Sequence, residues 1–301
     1  ALCPSLLILP PRFEVYRSIS QQFHQIFADY TELVEPLSLD EAYLDVSDCE
    51  RCSGSATLIA SEIRERVRSE LELTVSAGVA PNKFLAKVAS DWRKPDGQFT
   101  IAPEVVGEFV LQLPVSKING VGRVTAGKLR RMGVETCGDL QGLPVETLMT
   151  RFGKYGRRLY EVARGEDRRL VKASRQRKSI SVERTFAEDI EQLDAMGEAL
   201  ATLLLELQRR YSKISRDYLP SKRFVKIKYR DFSQTTLEEG IAPSASGWYS
   251  PADFRRMMAA AWVREAKPIR LLGAGLRLQP SSADSDQLNL FSFTEDLAGR
   301  D

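Results

Sequence analysis

The sequence has few of the residue types that bind zinc or form disulfide frameworks. It contains one histidine, His24, and four cysteines without a repeated spacing. Cys49 and Cys52 have the spacing of a metal-binding pair, but no second pair accompanies them, so we expect no zinc site. The sequence also shows no signal peptide and no apolar run long enough to cross a bilayer. We therefore expect a cytoplasmic protein without membrane association, whose cysteines are structural or incidental.

Length and charge set further limits on the architecture. The chain has 301 residues, of which 43% are hydrophobic and 28% charged, which is typical of a soluble globular protein with two or three domains. Its net charge of +2 conceals a basic stretch without acidic residues between 168 and 182. Such a stretch is a candidate for phosphate binding, although a solvated linker explains it equally well. Its cations are Arg168, Arg169, Lys172, Arg175, Arg177 and Lys178.

Two adjacent carboxylates, Asp40 and Glu41, lie between apolar-rich segments at 34–39 and 42–46. The alternation in these segments predicts short strands, which places the carboxylates at a hairpin bend. Hard oxygen ligands there suit Mg²⁺, which binds one or two protein carboxylates and completes its octahedron with water and phosphates. An isolated pair at a turn is more often only solvated, so the surrounding motifs must decide.

The next 60 residues alternate helical and extended patterns. We predict helices over 55–71 and 82–92 and strands over 73–79 and 98–101. This order predicts an α+β region, a split βαβ sheet with helices on one face. A turn at 93–97 presents Lys94 outward, where it suits a triphosphate, although most exposed turn lysines have no such role.

A helical region begins near Pro103. Ile118-Asn119-Gly120-Val121-Gly122 precedes a predicted helix over 125–132 that Gly133 ends, which is the pattern of a helix-hairpin-helix. Gly120 and Gly122 allow the backbone to approach a phosphate, and the following helix supplies charge from Arg123, Lys128, Arg130 and Arg131. An ordinary corner between two helices is the alternative.

The last third of the chain is again mixed. We predict strands over 179–186, 223–231 and 269–278, a further strand ending at 235–236, and helices over 193–211 and 250–266. The alternation at 223–231 predicts one apolar face, with Phe224, Val225, Ile227 and Tyr229, and one basic face, with Lys226, Lys228 and Arg230. The basic face of an open sheet suits contact with a nucleic acid backbone, or it is simply solvated.

The tail beyond Pro280 is polar except for a short apolar cluster. Gln287, Leu288, Leu290 and Phe291 fall within five residues, where no core is available to them. A glutamine followed by leucine and phenylalanine anchors is typical of a peptide that docks in a partner's hydrophobic pocket. Folding back onto the chain's own domain is the alternative.

Together these motifs resemble the Y-family translesion DNA polymerases over nearly the whole chain. The resemblance rests on residues 38–45, 76–83, 94–98, 118–122 and 178–186, which occur in the family's order and approximate spacing. Within the family, the bacterial polymerase IV group is most similar and the polymerase V catalytic subunit is the nearest alternative. The resemblance implies an incomplete palm at 1–102, a thumb at 103–168, a basic linker at 169–178, a little finger at 179–280 and a tail at 281–301.

The resemblance also implies roles for individual residues. Asp40 and Glu41 would hold two Mg²⁺ ions while a primer 3′-hydroxyl attacks a deoxynucleoside triphosphate, and Lys94 would contact the triphosphate. The implied partners are primer-template DNA and the bacterial sliding clamp, and the protein is expected to act as a monomer. The clamp would bind Gln287, Leu288, Leu290 and Phe291. The DNA backbone would contact Gly120, Gly122, Arg123, Lys128, Arg175, Arg177, Lys178 and Ser179.

The chain begins at a point that resembles the interior of the family's sequence. We therefore expect it to lack the first palm strand, with its metal-binding aspartate, and the fingers. On this expectation the 301 residues bind DNA and the clamp but synthesise little DNA. Two alternatives stay open: a truncated protein that only binds DNA and the clamp, and a helix-hairpin-helix structural protein, which the Asp40-Glu41 hairpin and Lys94 disfavour.

Overall fold

The computed structural model describes Cys3 and residues 5–241 and 247–281. The chain divides into two compact units, residues 1–174 and 175–301. The predicted boundary near residue 102 lies within the first unit. Among the helices of the described ranges, none combines the length and apolar character needed to cross a bilayer.

The first part of unit one contains short strands and amphipathic helices. Ser55 and Asn82 each cap a helix, because their side chains accept hydrogen bonds from Leu58 N and Leu85 N. The helices predicted over 55–71 and 82–92 are thereby confirmed, the second in a shorter form. The elements are α1 (Phe13–Ala28), β1 (Val34–Pro36), β2 (Ala42–Leu44), α2 (Ala56–Leu71), β3 (Ala77–Val79), α3 (Lys83–Ser90) and β4 (Gln98–Thr100).

These strands form two separate pairs. β1 and β2 are antiparallel, whereas β3 and β4 are parallel and are connected through α3 as a βαβ unit. The α+β prediction is confirmed, but the described strands do not join into one sheet and are shorter than predicted. For the hairpin the reason is its turn: the amides of Leu37 and Ser38 both donate to the Glu41 carbonyl, at 2.8 and 3.3 Å. Residues 37–41 therefore form the connection rather than strand.

The rest of unit one is helical. Its buried cluster contains Leu129, Leu148 and Leu159 together with Phe84 and Val88 of α3, so the helical region and the βαβ unit share one core. Gly133 has φ +77° and follows the predicted thumb helix, which begins at Arg123, two residues earlier than predicted. The helices are α4 (Val106–Gln112), α5 (Arg123–Arg131), α6 (Cys137–Gln141), α7 (Val145–Phe152) and α8 (Lys154–Val162).

Unit two is a four-stranded antiparallel sheet of order β5-β8-β6-β7 with two helices packed on one face. The strand predicted to end at 235–236 instead starts at Gln234, because Asp231 accepts hydrogen bonds from the amide and hydroxyl of Ser233 and so fixes the turn before it. The elements are β5 (Ser179–Ile190), α9 (Leu193–Ser212), β6 (Tyr218–Tyr229), β7 (Gln234–Gly240), α10 (Pro251–Val263) and β8 (Ile269–Pro280).

Phe224 was predicted on the apolar face of β6, and this assignment is wrong. Val225, Ile227 and Tyr229 are buried under the helices, so strict alternation directs Phe224 to the opposite face, where Arg277 lies 5.0 Å from its ring centroid. The ring lies against Gly275, where an added methyl group would come within 2.7 Å of Ser181 Cβ. The aromatic side chain thus covers a glycine on the open face of the sheet.

A buried ion pair fixes the β1–β2 hairpin to α3. Lys83 Nζ lies 2.5 Å from Glu35 Oε2 and 3.1 Å from the Leu170 carbonyl, and it stands 5.1 Å from the centroid of the Tyr43 ring. Glu35 also accepts a hydrogen bond from the Lys172 amide at 2.8 Å. Because only 8% of the Lys83 side chain is exposed, its charge depends on these partners.

Acidification provides a test of this ion pair. Burial alone raises the pKa of Glu35, but hydrogen bonds from Lys83 and the Lys172 amide hold it below its ordinary value of 4.5. A lowered pKa in the folded state stabilises the protein above pH 4.5, and that stability is lost as the pH falls through the folded-state pKa. We predict that Glu35→Gln lowers the free energy of unfolding at pH 7 by about 3 kcal/mol and flattens its decline below pH 4.5.

Urea unfolding across pH 3–7 measures both effects. Glu161→Gln is the matched control, because its partner Arg157 is 72% exposed and the pair contributes about 0.5 kcal/mol or less. If Glu35→Gln and Glu161→Gln give the same curve, the buried pair does not have the assigned role.

Candidate functional site

Asp40 and Glu41 lie side by side at the bend between β1 and β2. Asp40 is exposed, and Ser38 Oγ lies 2.5 Å from its Oδ1. Glu41 accepts a hydrogen bond from Lys87 Nζ at 2.7 Å and is 40% exposed. Both carboxylates therefore lie at a hairpin bend, as predicted.

The donor set of this hairpin fits a hard divalent cation. Ser38 is the one side chain of the described residues that hydrogen-bonds Asp40, so most of the lone pairs of this carboxylate face outward. In the described ranges no group of three carboxylate, histidine or cysteine side chains gathers here. Two carboxylates suit a cation such as Mg²⁺, which takes its remaining ligands from water and phosphate oxygens.

Lys94 lies within electrostatic reach of the two carboxylates. Its Nζ is 2.6 Å from Asp91 Oδ1, and this hydrogen bond raises the pKa of Lys94. The negative charges of Glu41 and Asp40 raise that pKa further. Since 53% of the Lys94 side chain is exposed, its ammonium is charged and accessible beside the hairpin.

Sequence reasoning missed three residues that hold this site together: Glu35, Lys83 and Lys87. Lys83 and Lys87 are four residues apart on α3 and therefore project from the same face of the helix. They pair with Glu35 and Glu41, which flank the hairpin bend. The sequence held one signal for these pairs: two lysines four residues apart in a predicted helix, and two glutamates in the predicted hairpin.

The predicted helix-hairpin-helix residues form an uncapped helix start. Gly120 has φ +94°, which favours glycine, and an added methyl group there would lie 3.0 Å from the Tyr155 hydroxyl. Gly122 is the N-cap of α5 and makes no side-chain cap, so the first amides of α5 lack a side-chain acceptor within the described residues. Arg123 lies exposed at this start, and Lys128 lies exposed in the last turn of α5.

The later part of the basic stretch, from residue 175 onward, belongs to unit two. The Arg177 amide donates to the Tyr218 hydroxyl at 3.1 Å, and the Lys178 carbonyl accepts from the Leu278 amide at 2.9 Å. Arg175, Arg177 and Lys178 are exposed, and Ser179 begins β5. The predicted clamp-binding residues Gln287, Leu288, Leu290 and Phe291 lie outside the described residues.

Three family models match successive parts of the sequence. Residues 1–91 match the impB/mucB/samB family, and residues 177–290 match that family's C-terminal domain. Residues 116–167, which contain the glycine hairpin, match the thumb domain described for DNA polymerase iota.

Two bacterial relatives match almost the whole chain. DNA polymerase IV of Ectopseudomonas mendocina strain ymp is 53% identical over 97% of this chain and 81% of the relative. DNA polymerase IV of Pseudomonas entomophila strain L48 is 51% identical over 96% of this chain and 80% of the relative.

Solved structures share the fold. A Y-family DNA polymerase chimera of Dbh and Dpo4 superposes with a TM-score of 0.81, at 25% identity over 91% of this chain and 79% of that chain. An insertion ternary complex of Dbh DNA polymerase superposes with a TM-score of 0.58 at 23% identity, over 91% and 79% of the two chains. By its relatives, its matching domains and its fold, the chain belongs to the Y-family DNA polymerases, within the group named DNA polymerase IV.

Proposed function

We propose that this protein carries out template-directed, error-prone DNA synthesis past damaged bases, with its catalytic centre at the β1–β2 hairpin. The observation that carries the proposal is the pair of adjacent carboxylates, Asp40 and Glu41, within electrostatic reach of the exposed Lys94. Carboxylates for a divalent cation and a lysine for a triphosphate are the groups that nucleotidyl transfer requires.

In this proposal Asp40 and Glu41 are the protein ligands of two Mg²⁺ ions. When bound, the ions neutralise charge on the triphosphate and lower the pKa of the primer 3′-hydroxyl. Lys94 exchanges its contact with Asp91 for the triphosphate, which its exposure permits. Lys87 orients Glu41, and the buried pair of Lys83 and Glu35 holds the hairpin that carries both ligands.

The proposed DNA contacts are made to the backbone. Gly120 and Gly122 bring the uncapped amides of α5 towards a phosphate, and Arg123 and Lys128 add charge. Arg175, Arg177, Lys178 and Ser179 offer a second basic segment in unit two. Phosphate contacts carry no base sequence information, so a distorted template base meets little resistance, and low fidelity follows.

The domains and partners follow the same proposal. Residues 1–102 act as palm, 103–168 as thumb, 169–178 as linker and 179–280 as little finger. The tail at 281–301 binds the sliding clamp through Gln287, Leu288, Leu290 and Phe291, and the protein works as a monomer in the cytoplasm.

The isosteric double variant Asp40→Asn/Glu41→Gln tests the catalytic assignment. It removes two negative charges but keeps the shape of the hairpin, so we predict a loss of primer extension of at least about 10³-fold in a protein that includes the first palm strand and the fingers. Binding of primer-template DNA, measured by fluorescence anisotropy over a salt series, should remain within about twofold.

The matched control is Asp48→Asn, an exposed aspartate shortly after the same hairpin, which should retain extension. Full extension by the double variant would refute the catalytic role. Loss of DNA binding together with extension would mean that the carboxylates serve the structure instead. If a protein that includes the first palm strand and the fingers binds DNA and the clamp but never extends a primer, the non-catalytic alternative is favoured.

The tail assignment predicts a separate defect. Leu290→Ala/Phe291→Ala removes both apolar anchors, so affinity for a bacterial sliding clamp should fall at least about 100-fold, while extension without the clamp is unchanged. Surface plasmon resonance on immobilised clamp measures the first effect. Asn289→Ala, within the same pentapeptide, is the control, and undiminished clamp affinity of the double variant would contradict the assignment.

A further inference from the structure

The sheet of unit two has one face covered by α9 and α10 and an opposite face that carries charged side chains. Lys226 and Lys228 alternate with the buried Ile227, so both lie on that opposite face, hereafter the open face. By the same alternation Glu183 lies opposite the buried Val182, and Glu238 lies opposite Leu237, which packs on the core.

Two of the cations on the open face are paired with carboxylates across an intervening strand. Lys226 Nζ lies 2.9 Å from Glu183 Oε2, although β8 separates their strands. Both residues are in register with Gly273 of β8, and a methyl group there would lie 3.1 Å from Glu183 Cβ and 3.6 Å from Lys226 Cβ. Because Gly273 has no side chain, Glu183 and Lys226 have room to form an ion pair above it.

The second pair spans a different strand in a similar manner. Arg277 of β8 pairs with Glu238 of β7, and β6 lies between them. Phe224 of β6 is in register with Glu238, and its ring lies beneath the Arg277 guanidinium at 5.0 Å from the centroid. The aromatic ring thus supports the cation over the strand that it crosses.

Two neighbouring cations have no such partner. Lys228 and Arg270 form no salt bridge with any described residue; instead they stand 5.0 and 5.1 Å from the centroid of the Phe232 ring. Phe232 is 61% exposed and has φ +65°, an unusual conformation for an aromatic residue. Lys267 and Ser233 hold the adjacent Asp231, so the turn that presents Phe232 is well supported.

Stability does not account for the two carboxylates on the open face. Glu183 is 48% exposed and Glu238 is 30% exposed, and ion pairs of this exposure contribute little to folding. Their effect on an approaching polyanion is larger, because a phosphate must compete with each carboxylate for its cation and is repelled by its charge. A cation that is already neutralised also releases fewer counterions from DNA.

We propose that Glu183 and Glu238 weaken the binding of this sheet to the DNA backbone by neutralising, and so masking, Lys226 and Arg277. The phosphate contacts are then left to Lys228, to Arg270 and to Lys222, an exposed lysine of the same strand and face that forms no salt bridge with a described residue. The inference rests on the proposed function, because it assumes that the open face meets DNA. As a consequence, fewer cations contact DNA than the sheet contains, and the polymerase releases DNA more readily than it would without the two glutamates.

The glutamine variants Glu183→Gln and Glu238→Gln test the masking. The slope of the logarithm of the association constant for primer-template DNA against the logarithm of salt concentration should become more negative by about 0.9 in each variant. If the variant and the unaltered protein bind DNA equally at 1 M salt, this change in slope makes the variant bind about eightfold more tightly at 0.1 M salt. Fluorescence anisotropy over a salt series measures both quantities.

Glu206→Gln is the matched control for the charge change. Glu206 also pairs with arginines, Arg209 and Arg210, but it lies on α9, which covers the other face. It should leave the salt dependence unchanged. If Glu183→Gln and Glu238→Gln behave like Glu206→Gln, the masking proposal is wrong; equal tightening by all three variants would also overturn it, since only net charge would then matter.

A second comparison uses two lysines of one strand and one face. Lys228→Ala should reduce the salt slope by about one, whereas the double variant Lys226→Ala/Glu183→Gln should change it far less, because it removes a neutral pair and leaves no unpaired carboxylate. Equal losses from both variants would contradict the masking. If neither variant alters DNA binding, the open face does not meet DNA, and that outcome overturns the assumed DNA contact rather than the masking alone.

Discussion

The ion pair between Lys83 and Glu35 is the interaction on which the candidate catalytic hairpin depends. A lysine with 8% exposure is stable only if its partners satisfy its charge, and here they come from β1, from the Leu170 carbonyl and from the Tyr43 ring. Glu35 in turn requires the Lys172 amide. The strand β1, the helix α3 and the segment with Leu170 and Lys172 must therefore meet at this ion pair. Their contact positions the hairpin bend, which lies five residues after Glu35.

Three lysines near the hairpin show how exposure separates structural from functional charge. Lys83, Lys87 and Lys94 are each paired with a carboxylate, and their side chains are 8, 17 and 53% exposed. Desolvation makes the partner of a buried cation costly to replace, whereas the partner of an exposed cation costs less to replace by a phosphate. On the sheet of unit two the distinction is a different one: Lys226 and Lys228 are both partly exposed, but only Lys226 is paired with a carboxylate.

The sequence predicted helices and the hairpin bend well because local signals determine them. Ser55 and Asn82 are strong N-caps, and Asp40-Glu41 interrupts two apolar segments. Strand ends and side-chain faces were less predictable because they depend on partners distant in sequence. Phe224 was assigned to the core from its hydrophobicity, yet the register with Gly275 of β8 provides a place for its ring on the open face. Glu35 and Lys83, 48 residues apart, could not be paired without the fold.

Binding of Mn²⁺ as a probe for Mg²⁺ tests the central claim most directly. Electron paramagnetic resonance can count Mn²⁺ bound to the protein in the presence of primer-template DNA and a non-hydrolysable deoxynucleoside triphosphate. The account predicts bound Mn²⁺ in the unaltered protein and its loss when Asp40 and Glu41 are replaced by asparagine and glutamine, because both oxygen ligands lose their charge. An equal amount of bound Mn²⁺ in the two proteins would contradict it.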